Sequence, residues 1–555
     1  MLRHLVVTTA LSLVAISGLP TSAQQQAAVS RPVTFQDLLA GSSDPTRWLM
    51  FGGEYSGYRH SRLTQITPQN VANLRLQWLF QSQLPATGRG WESTPLVLDG
   101  VMYITGNFNT AWALDARTGR PIWSYRRTLP DVLRVCCGMV NRGFGLLGDR
   151  LYMGTLDAHL VALDRKTGEV IWDVPVEEPK NGYSITGAPL VVKDKVIIGI
   201  SGGDYATRGF LDAYDAATGA RVWRFYTIPG KGEPGSETWP GGEEMARGGG
   251  ATWVTGSYDP ASNSVFWGVG NPNPDYWGGD RAGANLYTNS LVVLDADTGR
   301  LKWHFQFTPH DIHDWDSTQV PVLAELKLER VRKVVLFANR NGFFYALDRE
   351  TGKILLGRPF TGTKWARELD AAGRPIVLDD VGTPENCLPD ARGATNFMPP
   401  SYDPARRLFF VTAREGCVTW TSIKPTTITP GGPNTSGGLK RHEGGREQYT
   451  ALRALDATTG ELRWEHRFSP IPSHLPLDLS GGAMSTASGV VFSGDREGYL
   501  YAFESTTGKV LWRFQTGAPV WGISPITYML DGQQWVTIPT GDTLLAFSLP
   551  GGRAR

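Results

Sequence analysis

Apolar and polar positions alternate with period two in short runs along the chain, as in "RNGFFYALD" and "REGYLYAFE". No segment of helical period is long enough to form a separate helical domain. The runs belong to a recurring unit: "ALDARTGRPIW" ending at Trp123, "ALDRKTGEVIW" at Trp172, "AYDAATGARVW" at Trp223 and "VLDADTGRLKW" at Trp303. It returns as "ALDRETGKILL" at Leu356, "ALDATTGELRW" at Trp464 and "AFESTTGKVLW" at Trp512. Each unit predicts an apolar strand ending at an acidic residue, a tight turn in which Gly accepts positive φ, and a second strand closed by Trp. Trp123, Trp172 and Trp223 are 49 and 51 residues apart, and the longer gaps hold inserted loops. The stretch from about Leu356 to Asn396, rich in Pro and Gly, reads as one such loop.

A hairpin of this kind cannot bury both faces alone, so the copies must stack. All-β repeats near this length predict a propeller of four-stranded blades. Seven visible units and one weak or split unit give eight blades, with the repeated Trp residues packed between them. The expected fold is an all-β, eight-bladed propeller with tryptophan-docking repeats, a single domain over residues 24–555.

The first 23 residues change the picture of where the chain works. A short polar start at Arg3 and His4, an apolar run and small residues ending at Ala23 predict a secretory signal peptide. The run is short for a spanning helix, and no membrane span is expected after cleavage. The chain is therefore expected in the periplasm, where conditions are oxidising. Of the 4 cysteines, Cys387 and Cys417 are expected to form a plain structural disulfide. Cys136 and Cys137 are adjacent, and a bond between neighbours removes little unfolded-chain entropy. They read either as two unrelated buried thiols or as an oxidised pair. With 54 basic against 53 acidic residues, nothing suggests a nucleic acid or polyanionic partner. No CxxCH is present, so no c-type haem domain is attached.

Functional groups of a propeller project from loops at one end of its channel, so polar residues that the repeat does not require are the candidates. "TPHDIHDWDST" supplies His310, Asp311, His313, Asp314 and Asp316. Asp314 and Asp316 share one face of an extended segment and repel unless a cation lies between them. "GVGNPNPD" offers Asn271 and "SGGDYATRG" offers Asp204. Oxygen donors without a Cys or His cluster suit a hard cation such as calcium. Each also reads as an ordinary turn or solvated-loop residue when taken alone.

Together these motifs carry a resemblance. The chain resembles the pyrroloquinoline quinone (PQQ)-dependent alcohol dehydrogenases of the methanol/ethanol dehydrogenase family, from "RWLMFGGEYSGYRHSRLTQITPQNVANLRLQW" to "GISPITYMLDGQQWVTIP". The specific motifs are the paired cysteines followed by "xxVNRG", the segment Trp253–Asp259, "GNPNPD", "HDWD" and "ANRNGFFYALDRETG". The resemblance implies that Cys136 and Cys137 form a vicinal disulfide on one face of PQQ, with Trp253 stacked on the other. It implies cofactor contacts from Glu92, Arg142, Thr155, Ser201, Gly202, Arg340 and Asn396. It implies a metal held by Asp204, Asn271 and Asp314, with Asp314 as catalytic base and Arg340 bonding the reactive quinone oxygen. Asp316, two residues after the base, resembles the lanthanide-dependent branch, with calcium as the alternative metal. The implied reaction oxidises an alcohol to an aldehyde or ketone and passes electrons to a separate cytochrome c-type carrier; a homodimer is left open.

The chain departs from the family pattern at four positions: Asp204 replaces Glu, Ala251 replaces Thr, Gly138 replaces an acidic residue and Ser480 replaces Trp. A looser slot or a larger substrate is expected from these losses. The rival reading is a propeller that kept the fold, lost catalysis and acts as a binding or assembly scaffold. The presence together of the cysteine pair, "HDWD" and Arg340 separates the two.

Overall fold

The computed structural model describes residues 31–551, apart from 86–89, 380, 382–386, 430, 442–447 and 469–478. The expected signal peptide lies outside the described residues. Eight blades form a ring, each built on an antiparallel four-stranded sheet; in one of them His60–Ser61 adds a short parallel fifth strand alongside Met484–Thr486. Their innermost strands are Leu96–Leu98, Gly145–Leu147, Leu190–Val192, Ser257–Asp259, Val322–Lys327, Ser401–Asp403, Met484–Thr486 and Ile526–Leu530. The split unit closes the ring: Arg75–Gln81, from the start of the chain, pairs antiparallel with Thr543–Ser548 near its end. The early strand supplies the outer edge of the last blade, so the two regions of the chain hold the ring shut through one shared sheet.

The repeat explains how the blades lock together. The repeat Trp residues lie opposite an Ala of the neighbouring strand, Ala113 for Trp123 and Ala454 for Trp464, except Trp303, which faces Val293. Trp78 occupies the same place opposite Ala546 in the closing blade. The indole then docks on the "TG" glycine of the next blade. A Cβ added to Gly119 would come within 2.5 Å of Trp78, one on Gly168 within 2.7 Å of Trp123, and one on Gly299 within 2.6 Å of Trp223. The indole N–H donates to the carbonyl that follows the repeat's acidic residue: Trp78 to Ala116 (3.2 Å), Trp223 to Ala296 (3.1 Å) and Trp464 to Ser505 (2.8 Å). The Asp itself holds the turn, as Asp115 Oδ1 accepts from the N–H groups of Arg117 and Thr118. The "TG" glycine thus supplies both the positive φ and a flat bed for an indole.

The insert after Leu356 is more ordered than a loop. It holds a short hairpin, Ala366–Leu369 against Pro375–Val377. Cys387 is bonded to Cys417, as expected, across a separation of 30 residues. A second hairpin, Val418–Ser422 with Gly437–Arg441, leaves the blade of Leu408–Glu415 and Tyr449–Asp456 directly after that disulfide.

Candidate active site

The topology brings two sets of loops to one end of the channel. Because adjacent strands are antiparallel, the segment entering an innermost strand and the segment leaving the second strand lie at the same end. Glu92, Thr186, Trp253 and Ser480 each stand four residues ahead of an innermost strand; Arg142, Asn396 and Asp316 stand three, five and six ahead. Thr155, Ser201, Asp204, Asn271 and Arg340 follow the second strands of their blades.

Glu92, Arg142, Thr186, Ser201, Trp253, Asn271, Asp316, Arg340 and Asn396 meet in one polar network. Glu92 Oε2 pairs with Arg142 Nη2 at 2.6 Å, and Trp521 Nε1 donates to Glu92 Oε1 at 3.1 Å. Arg142 also donates to Thr186 Oγ1 at 2.8 Å, which lies 2.9 Å from Ser201 Oγ. The Arg142 guanidinium carbon sits 4.9 Å from the centre of the Trp253 ring, a cation–π arrangement. Trp253 Nε1 donates to Asp316 Oδ2 at 3.1 Å. Asp316 Oδ1 accepts from the Asn271 main-chain N–H at 2.9 Å, and Oδ2 lies 3.3 Å from Arg340 Nη2. Gly270 allows this approach, since a Cβ there would come within 2.3 Å of Asp316 Oδ1. Arg340 then reaches Asp314 and Asn396. Asp316 is 6% exposed, which excludes a solvated-loop role.

Asp204 brings the cysteines to this network. Cys136 and Cys137 are disulfide-bonded, and a carboxylate oxygen of Asp204 lies within 4.8 Å of both sulfurs. Both sulfurs are used in the bond, so these three residues do not form a thiolate metal site.

Charge is unbalanced here. Burial pushes the Asp204 carboxyl up to about 6, with Asp316 adding repulsion and Arg340 opposing it. Burial also holds Asp314 well above the usual carboxylate range against the pull of Arg340. Asp275 is pushed the same way by burial and by Asp204 and Asp314. Burial works against the charge of Arg340, but Asp316, Asp314 and Asp204 outweigh it and keep it cationic. Clustered carboxylates with no free thiolate or imidazole among them fit a hard cation, whose charge would return them to their ionised form. Arg340 Nε is buried without a hydrogen-bond partner among the described residues, a donor left for a ligand. The residues present therefore fit both a metal ion and a polar, carbonyl-bearing cofactor.

Other candidates are tied into their own loops or neighbouring side chains. Thr155 is fully buried, and its hydroxyl closes its own turn by donating to the His159 carbonyl at 3.2 Å. Ser480 is buried against the Thr450 hydroxyl at 2.8 Å, while Phe397 and Trp521 join Trp253 in one apolar cluster beside it. Asp311 shapes its loop by accepting from the Trp315 N–H at 2.9 Å, and His313 stacks on Trp315 at 4.2 Å. The reading from sequence missed Thr186, although it shares the four-residue offset of Glu92 and Trp253. It also missed the hairpin after Cys417, which straps the site: Asn434 N–H donates to the Asp204 carbonyl at 2.7 Å, and Trp420 packs edge-on to His313 at 5.1 Å.

A β-propeller that gathers carboxylates and an unmet guanidinium N–H at one end of its channel has the make-up of a metal- and cofactor-dependent enzyme. Residues 48–358 and 446–536 match the model of the PQQ family described as the glucose/ethanol/alcohol dehydrogenase β-propeller domain. The chain is 37% identical to the quinoprotein alcohol dehydrogenase PedH of Pseudomonas putida, over 96% of this chain and 91% of that one. It is 34% identical to a lanthanide-dependent methanol dehydrogenase of Methylacidiphilum fumariolicum, over 91% and 86% of the two chains. Among solved structures, the quinohaemoprotein alcohol dehydrogenase ADH-IIG of Pseudomonas putida superposes with a TM-score of 0.86 at 34% identity, covering 95% of this chain and 83% of that one. A europium-containing methanol dehydrogenase superposes with a TM-score of 0.85 at 30% identity, covering 93% of this chain and 100% of that one. The chain belongs to this PQQ-dependent dehydrogenase family, and it is an alcohol-oxidising oxidoreductase rather than a scaffold.

Proposed function

We propose that this enzyme works in the periplasm, oxidising an alcohol to an aldehyde or ketone with PQQ and one metal ion held by Asp204, Asn271, Asp314 and Asp316. The observation that carries the reading is Arg340 bonded to Asp314 beside a cluster of buried carboxylates. PQQ, when bound, supplies the acceptor for the two electrons that leave the alcohol carbon. Asp314, held beside the Arg340 guanidinium, is the carboxylate placed to receive the alcohol proton. Arg340 keeps its charge and stabilises negative charge that develops beside it. Glu92, Arg142, Ser201, Gly202 and Asn396, with Thr186 added, hold the polar edge of the cofactor. Trp253 and the Cys136–Cys137 disulfide wall its two faces. Electrons leave to a cytochrome c-type carrier, a reading supported by the quinohaemoprotein relatives of the chain. Among the described residues no helix is long and apolar enough to cross a membrane.

For the metal we propose a lanthanide, because Asp316 adds a carboxylate that offsets the extra charge of a trivalent ion. Calcium is the second reading. The observation favouring it is that both Asp316 oxygens already face protein donors, the Asn271 N–H and Trp253 Nε1. Reconstituting the apo-protein with PQQ and either lanthanum or calcium, then assaying dye reduction with primary alcohols, decides between them. Activity restored by calcium alone and unchanged in Asp316→Ala overturns the lanthanide reading. No activity with either ion overturns the site assignment.

A further inference from the structure

We propose that Asp275 is a positioning residue that sets the amide of Asn271 so that its oxygen, not its nitrogen, is presented to the metal; this rests on the metal-site reading above. A carboxamide has one acceptor atom and one two-hydrogen donor, and either can occupy either branch of the side chain. In Asn271 the choice is dictated by neighbours. Nδ2 donates to Asp275 Oδ1 at 3.0 Å and to the Pro272 carbonyl at 3.1 Å, so both amide hydrogens are spent on protein acceptors. Turning the amide over would set Oδ1 against those two acceptors. The main-chain N–H of Asn271 is already committed to Asp316. Oδ1 is left with no protein donor among the described residues, and an oxygen without a donor is what a hard cation takes.

Asp275 is itself held on both sides. It is 3% exposed. The carbonyl of Pro274 before it accepts from Arg281 Nη2 at 3.1 Å, and the N–H of Tyr276 after it donates to the Thr435 carbonyl at 3.0 Å. Two residues back, Asn273 exchanges amide hydrogen bonds with Asn434, Nδ2 to Oδ1 at 2.7 Å and Nδ2 to carbonyl at 3.1 Å. The strap after Cys417 therefore fixes the segment that carries Asp275, and Asp275 fixes Asn271. Outer partners that orient a metal ligand are commonly worth 10- to 100-fold in metal affinity, and we expect roughly that loss on removing this one.

The test separates orientation from charge. Asp275→Asn removes the charge but keeps an acceptor oxygen; Asp275→Ala removes both. The probe is europium(III) added to full-length apo-protein with PQQ, read by luminescence titration and by lifetimes in H2O and D2O, which count water bound to the ion. The expected result is that Asp275→Ala binds about 10- to 100-fold more weakly and gains about one bound water, with Asp275→Asn close to wild type in both. Asn271→Ala serves as reference for the extra water. Asp275→Ala with wild-type affinity and hydration overturns the proposal alone. Asp275→Asn losing as much as Asp275→Ala also overturns it, since charge would then be the contribution. A wild-type protein that binds no europium overturns this proposal together with the metal-site reading.

Discussion

Arg340 grips Asp314 at two points: Nη1 donates to its main-chain carbonyl at 2.6 Å and to carboxylate Oδ1 at 3.2 Å. The first bond positions the backbone, where Asp314 adopts a left-handed φ of 62°, and the second aims the side chain. The same guanidinium spends Nη2 on Asn396 Oδ1 at 3.1 Å and faces Asp316 at 3.3 Å.

This geometry makes Asp314→Asn a clean separation of binding from turnover. The amide keeps the shape and loses the proton acceptor, so kcat should fall about 10²- to 10⁴-fold while PQQ remains bound. Cofactor absorbance of the purified variant and steady-state dye reduction check both halves. Wild-type turnover would show that the base is another residue.

Arg340→Lys should cost about 10²- to 10³-fold in kcat despite keeping the charge. A single ammonium cannot reproduce a planar fork that serves Asp314, Asn396 and Asp316 at once. Single-turnover reduction of bound cofactor by alcohol measures the loss directly.

The two disulfides should behave oppositely. Cys387 and Cys417 are 30 residues apart, so replacing both by Ser should cost about 3 kcal/mol of stability through restored unfolded-chain entropy. Cys136 and Cys137 are neighbours, and their replacement should cost under about 1 kcal/mol but weaken cofactor retention. Urea midpoints of the apo-proteins and PQQ titration of each variant discriminate the two effects.

Gly299→Ala should destabilise the protein more than Gly460→Ala. Both glycines hold φ near 70°, so both lose about 1–2 kcal/mol from the left-handed backbone. At Gly299 the new methyl also meets the Trp223 indole at 2.6 Å, whereas at Gly460 the nearest atom is Arg358 Cβ at 3.2 Å, a much milder contact. Equal urea midpoints for the two variants would remove the docking role from the indole.

His60 should add an acid-sensitive step to stability. Burial lowers its pKa below the unfolded value of 6.5, and Nδ1 lies 2.8 Å from Ser485 Oγ in a buried contact. The unfolded chain therefore takes up the proton first. The stability associated with neutral His60 is complete above pH 6.5 and is lost progressively as pH falls from there through the lower folded-state pKa. Comparing Tm of wild type and His60→Gln isolates this group from the active-site carboxylates. The advantage of wild type should shrink between pH 7.5 and about pH 5.5; a constant difference would contradict it.

The sequence by itself determined the propeller, because every part of the repeat is local. The period-two strand, the Asp that caps its turn, the "TG" glycine and the Trp that docks beyond it all fall within about eleven residues. Even the split blade was legible as a missing eighth copy, though only ring closure revealed Trp78 as its indole. Resemblance to the family supplied most of the site residues, and their offsets ahead of the innermost strands carry a signal of their own. Tertiary structure alone decided the contacts among them. Asp204, Asn271 and the pair Asp316 and Arg340 come from three different blades, and the curvature of the ring brings them together across as many as 136 positions of chain. No local pattern shows that Thr186 bonds Arg142, that Asp316 is buried rather than solvated, or that Asp275 turns the Asn271 amide. The first two depend on which donors and acceptors arrive from other blades, the third on how one loop folds back on itself, and burial makes each unmet hydrogen bond costly enough to dictate the answer.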